Sequence, residues 1–379
     1  MITAKEKFML FKQRQNFCSV PWNHLFIYTN GDVSPCVKSS IVIGNIVDTD
    51  IRDILKSSKL KELKQSFLQD SRHSNCNKCW RSEHDDFQFV RGMYNERFKS
   101  AIVDYADAEE FVLSGLDLHW SSVCNLKCIT CWHQSSSSIA KEEGKPVQHV
   151  PKESADKLIE FIVERQHTLK EIYMSGGEPT AIDHNYRLLK QLEKRSDLLI
   201  RVNSNLTWDK NNKIVQEIAK FPNVLFTISA DATGDRFEYM RRGAKWDKFL
   251  DNLEYLKTFK NFEIRLNSVF CVMSAMYLKE TLDYFTHTHG ITNITINDCG
   301  MEQAQLECRN LPAEIKDIVK QKLELLLTER SQNPGLCGNV TNCLTHLALE
   351  TTSNHWGTYL DAKDKLSGKN WYNVFEELS

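Results

Sequence analysis

Apolar residues through the middle of the chain recur at two spacings, one typical of strands and one typical of helices. Short runs rich in β-branched and aromatic residues, such as 198–202 and 224–228, predict buried strands. Between such runs the apolar residues recur every three or four positions, as at Leu158, Ile159 and Ile162, which predicts helices with one face toward a core. The pattern predicts six strand–helix pairs, with strands at 116–120, 171–174, 198–202, 224–228, 262–269 and 291–296.

Repeated strand–helix pairs predict an α/β fold in which right-handed crossovers join parallel strands and helices cover the sheet. Six pairs are too few to close an eight-stranded barrel, and they suit a partial (β/α)6 TIM-like barrel. A doubly wound open sheet is the alternative that periodicity leaves open, although no Gly-x-Gly-x-x-Gly motif follows the first strand. In either fold, the C-terminal ends of the strands carry the functional residues.

The first hundred residues follow a different pattern, which predicts a small N-terminal cysteine-rich α+β module. Two short apolar runs flank Asn30-Gly31, and this predicts a hairpin at 25–35. A helix is predicted at 51–67, and the mostly polar stretch at 85–110 is predicted to connect the module to the βα array. We therefore expect three domains, namely the module with its connection at 1–105, the βα domain at 106–330 and a C-terminal extension at 331–379.

Composition and charge argue against several classes of protein. Charged residues make up 26% of the 379 residues and hydrophobic residues 41%, as in soluble globular proteins. The formal net charge of −2 gives no reason to expect a nucleic acid or an anionic membrane as a partner. No apolar run approaches the roughly 18 residues of a membrane span, and the first residues lack the apolar stretch of a secretory signal. These features predict a cytoplasmic protein.

The twelve cysteines are unusual for a chain of this kind. In the reducing cytoplasm, clustered cysteines indicate a metal or redox site rather than disulfides. One group lies in the first quarter of the chain and another forms a short loop. The remaining five, Cys271, Cys299, Cys308, Cys337 and Cys343, are predicted to be buried as small apolar residues. The alternative is a third cluster on four of them, Cys299, Cys308, Cys337 and Cys343.

The short loop Cys124-x3-Cys128-x2-Cys131 directly follows the first strand of the βα array, so it lies at the functional end of that strand. Thiolates are the usual ligands of iron–sulfur clusters. Three thiolates on a four-iron cluster leave one iron without a protein ligand, and an open position on a metal is where a substrate binds. A zinc site completed by His133 is the alternative. The serine run at 135–138 is predicted to be a solvated loop or a helix cap.

A second motif, Gly176-Gly177-Glu178-Pro179, ends the second strand of the array. Together with the three-cysteine loop it resembles the motifs of the radical S-adenosylmethionine (radical SAM) superfamily, and the resemblance spans 114–297. It implies a 4Fe–4S cluster on the three cysteines with S-adenosylmethionine (SAM) at the open iron. It also implies that Gly176, Gly177, Glu178 and Pro179 cradle the methionyl ammonium. Glycines allow close approach and positive φ, and Pro179 disfavours the helical region at Glu178.

Later strand ends extend this resemblance. Asn203, Ser204 and Asn205 follow the third predicted strand. Ser229 and Asp231 follow the fourth predicted strand, and Arg241 and Arg242 lie shortly beyond it. The first set resembles a ribose-binding motif, since amides and hydroxyls suit the ribose hydroxyls. The others resemble a Ser-x-Asp motif followed by Arg-Gly, which implies that an arginine holds the methionyl carboxylate. The sequence leaves open which of the two arginines it is.

The N-terminal cysteines form a second candidate site. Cys18-x17-Cys36 and Cys76-x2-Cys79 make a set of four thiolates. The sequence at 17–80 resembles the auxiliary-cluster modules called twitch or SPASM, which usually follow the catalytic domain and here precede it. The resemblance implies a second iron–sulfur cluster, of 4Fe–4S type, that is fully ligated by the protein. A closed zinc ribbon is the alternative.

These resemblances predict a radical SAM enzyme. It would form a 5′-deoxyadenosyl radical, abstract hydrogen from a peptide or small-metabolite substrate, and use the auxiliary cluster for electron transfer. A reductant such as flavodoxin or ferredoxin is the implied partner, and no catalytic side chain is assigned. The alternative is a non-catalytic iron–sulfur or zinc protein serving as an electron carrier or scaffold. A zinc-ribbon nucleic-acid binder fits poorly with the net charge.

Overall fold

A computed structural model describes residues 15–82, 90–98, 111–299, 301–353 and 355–378. The chain forms two compact units. The first comprises Met1–Val123, Gln148–Val202 and Lys213–Val224, and the second comprises Cys124–Val147, Asn203–Asn212 and Leu225–Ser379. The predicted domain boundary at 105/106 and the first residues considered for a secretory signal, 1–14, lie outside the described residues. Among those that are described, no helix has the length and apolar character needed to cross a membrane.

The elements are numbered in chain order. The strands are β1 (His24–Ile27), β2 (Asp32–Ser34), β3 (Gly44–Asn45), β4 (Gly115–Leu118), β5 (Glu171–Met174), β6 (Leu199–Ser204), β7 (Val224–Ser229), β8 (Phe262–Phe270) and β9 (Ile294–Asp298). The helices are α1 (Val20–Asn23), α2 (Ile51–Ile54), α3 (Ser58–Leu68), α4 (Asn77–Ser82), α5 (Val90–Arg97), α6 (Ser137–Glu142), α7 (Lys152–Glu164), α8 (Asp183–Gln191), α9 (Lys213–Ile218), α10 (Gly234–Met240), α11 (Trp246–Leu256), α12 (Leu278–His289), α13 (Ala313–Glu329), α14 (Pro334–Leu347) and α15 (Trp356–Ser367). Short 3-10 turns lie at Ser74–Cys76, Gln166–Thr168, Pro179–Ala181, Ala275–Tyr277, Met301–Leu306, Cys308–Asn310, Trp371–Asn373 and Glu376–Leu378.

The predicted strand–helix pairs are all present, which confirms an α/β fold. The first three strands of the array, β4, β5 and β6, are parallel neighbours in the first unit. In the second unit the order is β7-β8-β9, and β8 and β9 are parallel. The last strand begins at Ile294 rather than at the predicted 291. Gly290 ends α12 in the left-handed conformation, with φ of 71°, and the chain uses the next residues to pass from helix to strand.

The predicted N-terminal hairpin is confirmed as β1 and β2, with Gly31 in its turn at φ of 88°. The single helix predicted at 51–67 is instead two helices, α2 and α3. The side chain of Ser57 accepts a hydrogen bond from the amide of Leu60, so a new helix begins there. Of the predicted connection at 85–110, the described part at 90–97 forms α5, and the parts at 85–89 and 99–110 lie outside the described residues.

The hairpin also joins the sheet of the βα array. Strand β1 pairs in parallel with β4, with His24 opposite Gly115 and Ile27 opposite Leu118. The strand order in the first unit is therefore β3-β2-β1-β4-β5-β6. Local periodicity predicts the hairpin but not this pairing, because the two strands are far apart in sequence.

One face of the central strands in the first unit is apolar and the other is polar. The apolar face is fully buried and consists of Leu116, Leu118, Ile172, Met174, Ile200 and Val202. On the polar face, Arg201 Nη1 contacts Glu171 Oε1 at 2.7 Å. Since buried charges are tolerated when they are paired, this face holds its ionic groups without exposing them to water.

Candidate functional site

The three-cysteine loop is fixed on one side by the serine run that follows it. The amide of Cys124 donates to Ser137 Oγ at 3.0 Å, and the carbonyl of Cys124 accepts from Ser138 Oγ at 2.7 Å. Ser136 Oγ donates to the carbonyl of Leu126 at 2.6 Å, and Ser136 also caps α6. The predicted helix cap is therefore present, and the same serines hold the backbone of the loop.

The other side of the loop lies along the C-terminal end of α10. The amide of Lys127 donates to the carbonyl of Arg242 at 2.9 Å, and the amide of Ile129 donates to the carbonyl of Met240 at 2.8 Å. Gly243 follows with φ of 99°, and a Cβ there would lie 3.3 Å from Leu126. A glycine at this position lets α10 end close to the loop.

The buried surroundings of the loop disfavour the thiolate forms of its cysteines when no cation is bound. Burial raises the pKa of Cys131 to about 12, and the neighbouring Cys128 adds to the shift. Burial also raises the pKa of Cys128, against the opposing effect of the Arg241 charge. Thiolates bind metals, so a cationic centre that replaces these protons would relieve the cost of holding negative sulfurs in an enclosed place. The donor set of Cys124, Cys128 and Cys131 fits an iron–sulfur cluster with one open iron.

The two candidate arginines have different partners. Arg242 Nη2 contacts both carboxylate oxygens of Glu142, at 2.7 and 2.8 Å, and Lys127 Nζ donates to the same carboxylate at 2.9 Å. Arg241 Nη2 contacts Asp231, whose Oδ1 also accepts from the amide of Val269 at 2.9 Å. Among the described residues, the buried Nε of Arg241 has no hydrogen-bond partner.

The residues at the C-terminal end of β6, namely Asn203 and Ser204 in the strand and Asn205 directly after it, are used in three different ways. Asn205 Nδ2 donates to Asn125 Oδ1 at 3.1 Å and lies 3.9 Å from the sulfur of Cys124. Asn203 Oδ1 accepts from Ser229 Oγ at 3.1 Å, so these two predicted site residues are neighbours. Ser204 Oγ instead accepts from the amide of Leu206 and from Trp208 Nε1, which shapes the turn that follows β6.

In the first unit, the double glycine is pressed against the chain segment that leads into the cysteine loop. Gly176 has φ of 106°, and a Cβ there would lie 2.9 Å from the carbonyl oxygen of Ser121. A Cβ on Gly177 would lie 2.1 Å from the carbonyl oxygen of Val123. Gly177 is therefore required by close approach, and Gly176 is the one of the pair with positive φ.

Glu178 and Pro179 stabilise the same turn. The amide of Glu178 donates to the carbonyl of Val123 at 2.7 Å, and Glu178 Oε1 accepts from Thr180 Oγ1 at 2.7 Å. Pro179 starts a 3-10 turn, and its carbonyl accepts from Asn185 Nδ2 at 2.9 Å. The sequence motif indicated these four residues, but it did not indicate that the backbone at 121–123 is their support.

The four N-terminal cysteines line one cavity in the first unit, which Lys38 and Tyr94 also line. Burial raises the pKa of Cys36 to about 12 and that of Cys76 to about 11. Burial and the other three thiols raise the pKa of Cys18. Buried thiols with raised pKa values that line one cavity fit a site whose cationic centre takes the place of their protons. The set of Cys18, Cys36, Cys76 and Cys79 can thus hold a cluster without another ligand.

The remaining cysteines are mostly core residues. Cys271, Cys299, Cys308 and Cys343 are buried, as predicted, and Cys337 is half-buried with its sulfur 3.3 Å from the carbonyl oxygen of Arg330. Within the described residues, no three Cys, His, Asp or Glu side chains lie close enough together to hold a single metal ion. His133, the residue considered as a zinc ligand, lies 3.3 Å from Glu143.

Two family models match the chain in the regions just described. One, described as the radical SAM superfamily, matches residues 118–289, and the other, described as an iron–sulfur cluster-binding domain (SPASM), matches residues 18–80. Residues 118–289 therefore form a radical SAM domain, and residues 18–80 form a SPASM domain. The first match includes all three cysteines of the loop and the Gly176–Pro179 turn, and the second includes all four N-terminal cysteines.

The solved structures that are similar to this chain are distant in sequence. Native anSMEcpe with bound AdoMet is 16% identical, with a TM-score of 0.45 over 59% of this chain and 62% of that chain. Streptococcus suis SuiB bound to precursor peptide SuiA is 14% identical, with a TM-score of 0.42 over 72% of this chain and 60% of that chain. The chain thus spans less than two thirds of each of these proteins. No curated protein matches it.

The family matches confirm the predicted cofactors. A radical SAM domain implies a 4Fe–4S cluster with SAM, and a SPASM domain implies an auxiliary iron–sulfur cluster. The predicted fold class, a partial TIM-like βα domain after a cysteine-rich module, agrees with these two matches and with their order in the chain.

Proposed function

We propose that the chain is a radical SAM enzyme that cleaves SAM reductively at a cluster held by Cys124, Cys128 and Cys131. Bound there, the cluster and SAM supply a 5′-deoxyadenosyl radical that takes a hydrogen atom from the substrate. The observation that carries the proposal is the three-cysteine loop, whose backbone is held on both sides by hydrogen bonds. The loop lies within the region that the radical SAM model matches. Rigid support of this kind keeps reacting groups in place.

The contacts of the loop favour particular roles for the polar residues. Asn205 lies beside Cys124, and Asn203 is paired with Ser229, and these contacts support our proposal that the amide and hydroxyl groups bind the ribose hydroxyls of SAM. Ser204 has a supporting role, because its hydroxyl is used by the turn at Leu206.

We assign the methionyl carboxylate to Arg241 rather than to Arg242. The guanidinium of Arg242 is already bidentate on Glu142, whereas Arg241 lies beside Cys128 and retains a buried donor atom. A carboxylate at Arg241 would add a charge-assisted hydrogen bond to a group that Asp231 holds in place. Loss of SAM binding on changing Arg242 to Gln, with binding retained on changing Arg241 to Gln, would reverse the assignment.

The turn of Gly176, Gly177, Glu178 and Pro179 is proposed to hold the methionyl ammonium. Substitution of Gly177 by Ala is expected to weaken SAM binding at least about tenfold, because the new Cβ would meet the carbonyl of Val123 at 2.1 Å and push the turn away. Isothermal titration of the reconstituted protein with SAM measures the effect. Substitution of Gly335 by Ala is the matched control, since its Cβ would have only an ordinary contact at 3.6 Å. Equal affinities in the two variants would show that the turn does not bind SAM.

The N-terminal cysteines are proposed to hold an auxiliary 4Fe–4S cluster that exchanges an electron with the substrate radical. Four thiols line the cavity, and four thiolates supply one ligand to each iron of a four-iron cluster, which supports this assignment. The substrate class that we propose is a peptide or a small metabolite. A flavodoxin or ferredoxin would supply the reducing electron. The number of free thiols suits a cytoplasmic location, where they stay reduced.

Anaerobic turnover tests the proposal directly. The reconstituted protein, reduced with dithionite and given SAM, is expected to form 5′-deoxyadenosine and methionine, which chromatography measures. SAM is also expected to change the electron paramagnetic resonance (EPR) spectrum of the reduced loop cluster. A protein that binds iron but shows neither response would instead be a non-catalytic electron carrier or scaffold.

A further inference from the structure

A tyrosine in the segment after the βα domain forms a hydrogen bond with the cysteine loop. Tyr359, on α15, donates its hydroxyl hydrogen bond to the carbonyl of Ile129 at 3.2 Å. Ile129 lies between the second and third cysteines of the loop. Burial raises the pKa of Tyr359 above its usual value, so the hydroxyl remains protonated and continues to donate. Within the second unit, a side chain far along the chain thus satisfies a peptide group between two cluster ligands.

The preceding peptide unit, which joins Cys128 to Ile129, is held from the other side by the C-terminal end of α10. The amide of Ile129 donates to the carbonyl of Met240 at 2.8 Å, so Ile129 is held at both its N–H and its C=O. Gln303 Nε2 donates to the carbonyl of Cys131 at 3.0 Å and extends this support to the third cysteine. A buried carbonyl that loses its hydrogen-bond donor destabilises the folded state, so these contacts contribute to the stability of the loop.

Helix α15 is itself tied to α10, so the two supports are connected. Asp364 on α15 accepts from the hydroxyl of Tyr239 on α10 at 2.7 Å and from the amide of Trp371 at 2.7 Å. Further along, Arg236 Nε on α10 donates to the carbonyl of Val374 at 3.1 Å. The residues at 355–378, called here the C-terminal clamp, therefore hold both the loop and the helix that borders it.

We propose that Tyr359 is a positioning residue for the SAM-binding cluster and that the C-terminal clamp keeps the loop of Cys128 and Cys131 in the geometry that the cluster needs. The proposal rests on the proposed function, because it takes these cysteines to be cluster ligands. Hydrogen bonds around metal ligands orient them and tune the metal, so loss of this one should loosen the cluster site without unfolding the protein.

The test compares Tyr359→Phe with Tyr372→Phe in the full-length reconstituted protein. Tyr372 belongs to the same clamp, is 47% exposed, and stacks on Trp371 with the ring centroids 3.8 Å apart. Each variant loses one hydroxyl, and only Tyr359→Phe loses the bond to Ile129. Three quantities are measured, namely amide hydrogen exchange in peptides covering 125–132, the rate of iron loss to a ferrous chelator, and the EPR spectrum of the reduced loop cluster with SAM.

Tyr359→Phe is expected to speed exchange in the loop and iron loss from the loop cluster by about threefold to tenfold, the range that one net hydrogen bond represents. It should also broaden the EPR signal seen with SAM and lower the thermal midpoint by only about 2–4 °C, while Tyr372→Phe matches wild type. Gln303→Met, which removes the bond to Cys131, is a second variant expected to act in the same direction.

Unchanged loop exchange and unchanged iron loss in both Tyr359→Phe and Gln303→Met would overturn the proposal. A different result is expected if the proposed function is wrong. In that case wild type would form no SAM-responsive cluster, whereas hydrogen exchange in the cluster-free protein would still report whether Tyr359 holds the loop.

Discussion

Alanine in place of Cys128 is expected to reduce 5′-deoxyadenosine formation to the level of an enzyme-free control, and alanine at Cys124 or Cys131 should do the same. Each thiolate holds one iron, and a cluster left with two protein ligands is lost or disordered. The measurement is chromatography of anaerobic, dithionite-reduced reactions with SAM, together with iron content. The loss should exceed that in any other single-cysteine variant, because these three are the ligands of the cluster that contacts SAM.

Cys337→Ala is the matched control for these variants. Cys337 is half-buried on α14, and its sulfur contacts the carbonyl oxygen of Arg330. This variant should keep its iron and its rate of SAM cleavage. Undiminished 5′-deoxyadenosine from any of the three loop variants would remove the assignment of the loop as the catalytic cluster site.

The double substitution of Cys76 and Cys79 by Ala is expected to halve the iron content while leaving SAM cleavage in place. Two four-iron clusters give about eight irons per chain, and the variant should retain about four. The remaining cluster has its ligands in the other unit, so its EPR response to SAM should survive. Slow formation of 5′-deoxyadenosine should continue, whereas turnover of the true substrate should fall sharply if the auxiliary cluster carries its electron.

Iron, sulfide and zinc assays on wild type and on this double variant separate a cluster from a zinc ribbon. With zinc, wild type would contain one zinc and about four irons, and the variant would lose the zinc while keeping its iron. Damage would then show in thermal stability more than in redox behaviour. Zinc in the wild type with only four irons would contradict the auxiliary-cluster assignment.

Local sequence was sufficient for the features that depend on neighbours along the chain. The six strand–helix pairs follow from periodicity, and the cysteine loop and the Gly176–Pro179 turn follow from the spacing of chemically distinctive residues. The break at 55–57 was missed because the apolar periodicity continues across it, although Ser57 is of a residue type favoured at N-caps and does cap α3 through the amide of Leu60.

Features that depend on distant partners could not be predicted. The sequence offered two adjacent arginines with the same charge, and only the position of Glu142 distinguishes Arg242 from Arg241. It showed aromatic residues near the end of the chain, but not that the hydroxyl of Tyr359 meets the carbonyl of Ile129. A hydrogen bond between remote segments leaves no periodic trace, since each partner is an ordinary residue in its own stretch of sequence.

The parallel pairing of β1 with β4 affects how this protein is made. Translation delivers β1 long before β4, at about 5–20 residues per second, so the hairpin leaves the ribosome without the neighbour that completes it. Removing the first eighty residues would in turn leave β4 with an open edge, which is a template for pairing with other chains. A chain that lacks these eighty residues should therefore aggregate, which size-exclusion chromatography would detect, because β1 covers the edge of β4 in the full chain.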